Sequence, residues 1–201
     1  MAVAEADAGL TKKLLKVKPA TEASLEGYGY IIGGTRTAPP RKQNYYGNYV
    51  QVRKPAKFVS NADTALSVAT INPRPMQVRW MEYHNKHTQT FIPLMGKPFV
   101  AVLHRPTCRM PDGSWNEKGS LYPSVDTVEA FLFDGSAGFV MNIGTWHEFP
   151  FAVEENTNVI VILTNETTSN LDNVVDGEAQ GGDLNKRDLQ KRLGVVFEVQ
   201  L

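Results

Sequence analysis

Cysteine is nearly absent: Cys108 is the only one in 201 residues, so no disulfide can close within the chain. That usage suits a reducing compartment, and the expected location is the cytoplasm. No apolar run approaches the ~20 residues that a helix needs to cross a bilayer. The opening MAVAEADAGLTKKLLKVK carries early acidic side chains and no long apolar stretch, so it does not read as a signal peptide. Neither sign of charge is in excess: 21 basic and 21 acidic residues cancel to a formal net charge of zero. Without a basic run interleaved with aromatics, neither nucleic acid nor a membrane is an expected partner. The short cluster Lys12-Lys13-Leu14-Leu15-Lys16 reads as a solvated surface. Internal repeats and low-complexity tracts are lacking too.

The length suits one domain with a substantial core. Residues 1–18 read as a flexible arm, 19–201 as the domain, and the part beyond about residue 170 as an extension. Strands are expected at Tyr28–Ile32, Tyr45–Arg53, Ala65–Ile71, Pro98–His104, Gly138–Ile143, Asn158–Leu163 and Val195–Val199. Short helices are expected at Thr21–Glu26, at Ser124–Phe133 from the spacing of its apolar residues, and at Asp183–Leu193, closed by Gly194. Gly33–Asn44 and Arg105–Pro123 read as loops, the second long enough to suggest a functional role. Many short strands with Gly/Pro turns imply an antiparallel sandwich or barrel.

The chemistry concentrates in Trp80–Gly96, WMEYHNKHTQTFIPLMG, which holds two of the four histidines. In an extended strand, residues of one parity share a face, so Val78, Trp80, Glu82 and His84 point together and Gln77, Arg79, Met81 and Tyr83 point away. The register Glu82-x-His84-x4-Gln89-x6-Gly96 resembles the first cupin motif, with Glu82 and Gln89 replacing two usual ligand types. Asn142-Ile143-Gly144-Thr145-Trp146-His147 resembles the second. The fold class expected on both grounds is all-β with minor helices, a cupin-type antiparallel β-barrel or jelly roll.

More specific strings resemble the ureidoglycolate lyase family: Glu82-x-His84, Thr88-Gln89-Thr90-Phe91-Ile92-Pro93-Leu94, Phe99-Val100-Ala101-Val102, Ala130-Phe131-Leu132, Gly144-Thr145-Trp146-His147 and Glu26-Gly27-Tyr28-Gly29-Tyr30-Ile31-Ile32. The sequence departs from the family at Tyr83, where a basic residue is usual, at Asn85, where Pro is, and at Met141, where an aromatic is. The resemblance implies a divalent metal, with nickel or manganese favoured and zinc, iron or cobalt open. It also implies an enzyme releasing urea and glyoxylate from ureidoglycolate. The metal ligands expected are Glu82, His84, Gln89 and His147.

Within that set the readings stay distinct. Glu82 is a ligand, a general base or half of a buried ion pair, and Gln89 is a ligand or a hydrogen-bonding orienter. Catalytic roles fall to Glu82, His84 and His147, and Trp80, Tyr83 and Met141 are candidate substrate contacts. His87, on the opposite strand face, reads as supporting or surface, His104 and Trp146 as structural, and Glu148 as pointing away. The substrate carboxylate calls for a guanidinium, from Arg36, Arg41, Arg74 or Arg105 rather than outward-facing Arg79. The alternatives are a family member acting on another small hydroxy or oxo acid, and a non-catalytic ligand-binding cupin. Sheet edges suggest a homodimer.

Overall fold

The computed structural model describes residues 9–33, 40, 49–60 and 62–201. In chain order the strands are β1 (Thr11–Pro19), β2 (Gly29–Gly33), β3 (Thr64–Ile71), β4 (Gln77–Val78), β5 (Trp80–His84), β6 (Thr90–Pro93) and β7 (Phe99–His104). They continue as β8 (Glu129–Phe133), β9 (Ala137–Met141), β10 (Trp146–His147), β11 (Phe151–Ala152) and β12 (Thr157–Thr164). Helix α1 (Asn165–Asp172), β13 (Leu184–Asp188), α2 (Leu189–Leu193) and β14 (Val195–Gln200) complete the chain.

The strands form two sheets. The larger runs β13-β5-β10-β7-β8-β1-β14-β4, with β11 also on β7; the smaller runs β2-β9-β6-β12-β3. Because β4 and β5 are separated by Arg79 alone, the large sheet curls back on itself, and the smaller sheet covers one side of the curl. This is the expected cupin-like jelly roll.

Two cores follow from the two-residue period of the shared strands. Inside the curl, Met81, Tyr83, Val100, Val102, Ala130, Trp146, Val195 and Phe197 pack together. Between the sheets, Phe91, Phe99, Ala101, Leu103, Phe131, Phe133, Phe139, Val159 and Val161 form the second cluster. Strand β7 feeds both, so all six of its residues are buried. Phe99 stacks on Phe133 with ring centroids 4.7 Å apart. The same alternation in β5 sends Met81 and Tyr83 into the curl and leaves Glu82 and His84 between the sheets.

Several expectations need correction. Residues 11–18 are not an arm: β1 runs parallel between β14 and β8, with Leu15 in the core and lysines paired to Glu198, Asp126 and Glu129. Of the helix expected over Ser124–Phe133, residues Glu129–Phe133 form β8 instead; Phe131 and Phe133 face one core and Ala130 and Leu132 the other, the alternation of a strand covered on both faces. Thr21–Glu26 forms a single turn in which Thr21 and Ser24 cap each other's backbone N–H. Asp183–Leu193 divides into β13 and α2, with Gly194 left-handed at the helix end as expected. Helix α1, with Thr164 as its cap, was not expected. Of the strand expected at Tyr45–Arg53, residues 45–48 lie outside the described residues, and in 49–53 only Arg53 bridges, to Pro40.

Candidate metal centre

Strand register builds the site as a row. Across β13, β5 and β10, Lys186 stands opposite Glu82 and Glu82 opposite His147. Lys186 Nζ donates to Glu82 Oε2 at 2.9 Å, and Glu82 Oε1 lies 3.6 Å from His147 Nε2. His84, two residues along β5, places its ring 5.2 Å from that of His147. Its Nε2 is 3.1 Å from Gln89 Oε1. Glu82, His84, Gln89 and His147 are all buried. The approach of β10 depends on Gly144: at φ +79°, its Cβ would sit 1.6 Å from the Arg109 carbonyl oxygen of the long loop. Gly144 N–H then donates to the His84 carbonyl at 2.9 Å, tying the second motif to the first.

The hydrogen bonds fix the tautomers of His147 and His87. His147 Nδ1 faces the Thr145 carbonyl at 3.0 Å, so Nδ1 carries the proton. The Thr164 and Thr167 hydroxyls both donate to Asp183 Oδ2, at 2.6 and 2.9 Å. Thr167 therefore has only a lone pair for His84 Nδ1, 3.4 Å away, while His84 Nε2 faces Gln89 Oε1 at 3.1 Å, so each ring nitrogen of His84 meets an acceptor. His87 Nδ1 donates to the same Asp183 Oδ2 at 2.7 Å. His87 and His147 thus present bare Nε2 lone pairs, buried with no partner among the described residues.

Electrostatics agree with neutral rings around an ionised acid. Burial, then repulsion from His87 and His147, lowers His84 to about 3. Burial also lowers His147 below its ordinary value. Burial pushes the Glu82 carboxyl up, but Lys186 first, then His147 and His84, outweigh it and leave it below the ordinary range. With both rings neutral at pH 7, Lys186 is the effective counter-ion.

The donors present fit a divalent ion. Ligand atoms of Glu82, His84 and His147 lie within 4.8 Å of one another. Two imidazoles and a carboxylate suit nickel, manganese, zinc, iron or cobalt, and leave coordination positions for substrate. A cation held by His84 Nε2 and Gln89 Oε1 would replace the 3.1 Å contact that these two atoms otherwise make with each other. The second cluster, His84, His87 and Asp183, is of another kind. Asp183 Oδ2 already accepts three hydrogen bonds and Oδ1 a fourth, from Lys86 N–H at 2.8 Å.

The remaining expected residues disperse. Tyr83 lies on the far face, its hydroxyl 3.1 Å from Cys108 Sγ and its ring edge-on to Trp146. Met141 is buried in the inter-sheet core, and Trp80, half-buried, stacks under Arg79. Arg79 is held by Asp188, Arg105 by the Glu26 carbonyl and the Tyr28 ring, and Arg74 by Glu148 and the Phe149 carbonyl. Arg36 and Arg41 lie outside the described residues. Among the described residues, the cation touching the cluster is Lys186, which no motif spacing marks; on β13, Leu184, Lys186 and Asp188 share a face. His104 is structural: Nδ1 donates to the Arg105 carbonyl, and Nε2 accepts from Ser124 N–H and the Thr127 hydroxyl. A groove of about 810 Å³ beside β1 is lined by His104 and Lys16 but holds none of the clustered ligands.

The sequence profile described as ureidoglycolate lyase matches residues 12–180. The chain belongs to the ureidoglycolate lyase family. It is similar to a ureidoglycolate lyase of Azotobacter vinelandii, 25% identical over 178 residues that cover 83% of this chain and 94% of that protein. It is also similar to ureidoglycolate lyases of Pseudomonas paraeruginosa (26% over 172 residues, covering 80% and 89%) and Pseudomonas fluorescens (24% over 163 residues, covering 80% and 90%). Asp183 and Lys186 lie beyond the matched residues.

Proposed function

We propose that the protein is a metal-dependent carbon–nitrogen lyase that splits ureidoglycolate into glyoxylate and urea. The observation that carries this reading is the buried cluster of ligand atoms from Glu82, His84 and His147, with His147 Nε2 lacking a partner among the described residues, gathered between the sheets of a ureidoglycolate lyase family fold. His84, His147 and Gln89 would hold the ion, which when bound supplies Lewis-acid polarisation of the adjacent hydroxyl and carboxylate oxygens of a hydroxy acid.

The chain's own residues account for the proton. Glu82 has one oxygen on Lys186 and the other free, and is ionised at neutral pH, so it is assigned as the base. It takes the substrate hydroxyl proton, the carbon–oxygen double bond forms, and the carbon–nitrogen bond breaks with its electron pair on nitrogen. That nitrogen takes up a proton and leaves as urea, so the proton count is unchanged. Lys186 also supplies the positive charge that the substrate carboxylate requires.

Glyoxylate and urea release from ureidoglycolate should vanish on chelation and return with nickel or manganese. Turnover that survives complete metal removal would refute the mechanism. An exposed apolar row on edge strand β3, Leu66 and Val68, supports pairing of two copies through the smaller sheet.

A further inference from the structure

His87 is not among the ligands assigned above, yet it is buried at 1% exposure against the same cluster. Its ring lies 4.5 Å from that of His84, centroid to centroid. Asp183, fully buried, holds Nδ1 from behind at 2.7 Å. The carboxylate is itself fixed by Thr164, Thr167 and the Lys86 N–H, and its backbone carbonyl accepts from Asn85 N–H at 2.8 Å. His87 is therefore locked in one orientation and one tautomer. Nε2, on a different edge of the ring from Nδ1, turns away from this hub as an acceptor without a partner.

A buried acceptor left bare costs free energy unless something donates to it. A ureido group is a donor: its N–H groups need acceptors once removed from water, and the carboxylate and hydroxyl at the other end of the substrate are served by Lys186, Glu82 and the metal ligands. We infer that His87, held by Asp183, is the residue that accepts a hydrogen bond from the substrate's ureido N–H and so selects a ureido acid over a plain hydroxy acid. This rests on the ureido-acid reading of the site. It also gives a function to Asp183, which lies beyond the matched residues.

The test uses nickel-loaded full-length protein and two ligands in calorimetry. Ureidoacetate carries the ureido group and carboxylate but no hydroxyl, so it cannot eliminate; glycolate carries hydroxyl and carboxylate but no ureido group. In His87→Phe, which keeps ring bulk and loses the lone pair, ureidoacetate should bind about 10-fold more weakly. Glycolate and nickel affinities should stay within about 2-fold, since a single uncharged contact is removed. His87→Gln, with an amide oxygen as acceptor, should recover part of the ureidoacetate affinity. Equal losses for glycolate or nickel would overturn the inference by showing that His87 only supports the loop. Unchanged ureidoacetate affinity alongside normal ureidoglycolate turnover would overturn this inference alone. A wild-type protein that binds glycolate and nickel but neither binds ureidoacetate nor turns over ureidoglycolate would overturn both readings.

Discussion

Replacing Lys186 by Met would strip the Glu82 carboxylate of its counter-ion while keeping most of the aliphatic bulk. Glu82's side chain is 10% exposed and that of Lys186 is 24% exposed. Breaking a fully buried pair by deleting one partner costs about 3–5 kcal/mol. Because Lys186 is partly solvated and Glu82 can take up a proton, the expected loss in metal-free protein is about 2 kcal/mol at pH 8. The pH dependence is the sharper test. In the wild type the Glu82 carboxyl lies below its ordinary value, so its contribution is complete above the ordinary carboxylate range and is lost as pH falls through the folded value. In Lys186→Met burial is left to dominate, the carboxyl titrates above its ordinary value, and stability is lost as pH rises through that window. The two stability curves should therefore diverge from about pH 4 to pH 8. Urea unfolding followed by tryptophan fluorescence after exhaustive chelation reads this directly, and Lys186→Arg should keep the wild-type slope. A difference below about 0.5 kcal/mol, or one independent of pH, would show that the pair does not hold Glu82 in solution.

Glu82→Gln should keep nickel binding within a few-fold while turnover falls by about 100-fold or more, as loss of a general base requires; loss of nickel instead would make Glu82 a ligand. His84→Ala and His147→Ala should each abolish nickel binding in calorimetry while the far-ultraviolet spectrum stays β-rich, and full retention of metal by either would refute the ligand set. With His84 lowered from 6.5 to about 3, the unfolded chain takes up a proton in that window that the folded chain refuses, so metal-free stability falls as pH drops from about 6.5 towards 3. His84→Phe should flatten that slope, and an unchanged slope would show that His84 is not kept neutral. Leu66→Lys with Val68→Lys should convert a dimer to a monomer in sedimentation, and an unchanged mass would move the interface elsewhere.

Much of the barrel was legible because its strands obey a simple period. The Glu82/His84 parity held once β5 formed, and NVIVIL and PFVAVLH fell where expected, as β12 and β7. Where reading failed, a strand was buried on both faces or bordered by charge. β8 is apolar on both faces because one packs inside the curl and the other between the sheets, so its apolar spacing fits a helix as well as a strand. β1 mixes lysines with apolar residues because ion pairs, not water alone, receive its outward side chains. Lys186 and Asp183 were invisible for a different reason: they reach the site through pairings 104 and 96 residues apart in sequence, which no local spacing encodes.

The four histidines show what sequence spacing and structure each contribute. Motif spacing singled out His84 and His147 and set His87 aside, since three residues along an extended strand reverses the face. The chain leaves strand geometry after His84, however, and the turn at 85–88 swings His87 back against its neighbour, secured by Asn85 and Lys86 N–H on Asp183 and by Arg109 on the Asn85 carbonyl. Counting donors then separates the rings that burial alone cannot. His87, His104 and His147 donate through Nδ1, but His104 Nε2 accepts two hydrogen bonds while His87 and His147 Nε2 accept none among the described residues. A structural imidazole has its lone pair filled by the protein. One whose lone pair is kept bare in a buried place, with its other nitrogen held by a carboxylate or carbonyl, is shaped for a ligand that the chain does not itself supply.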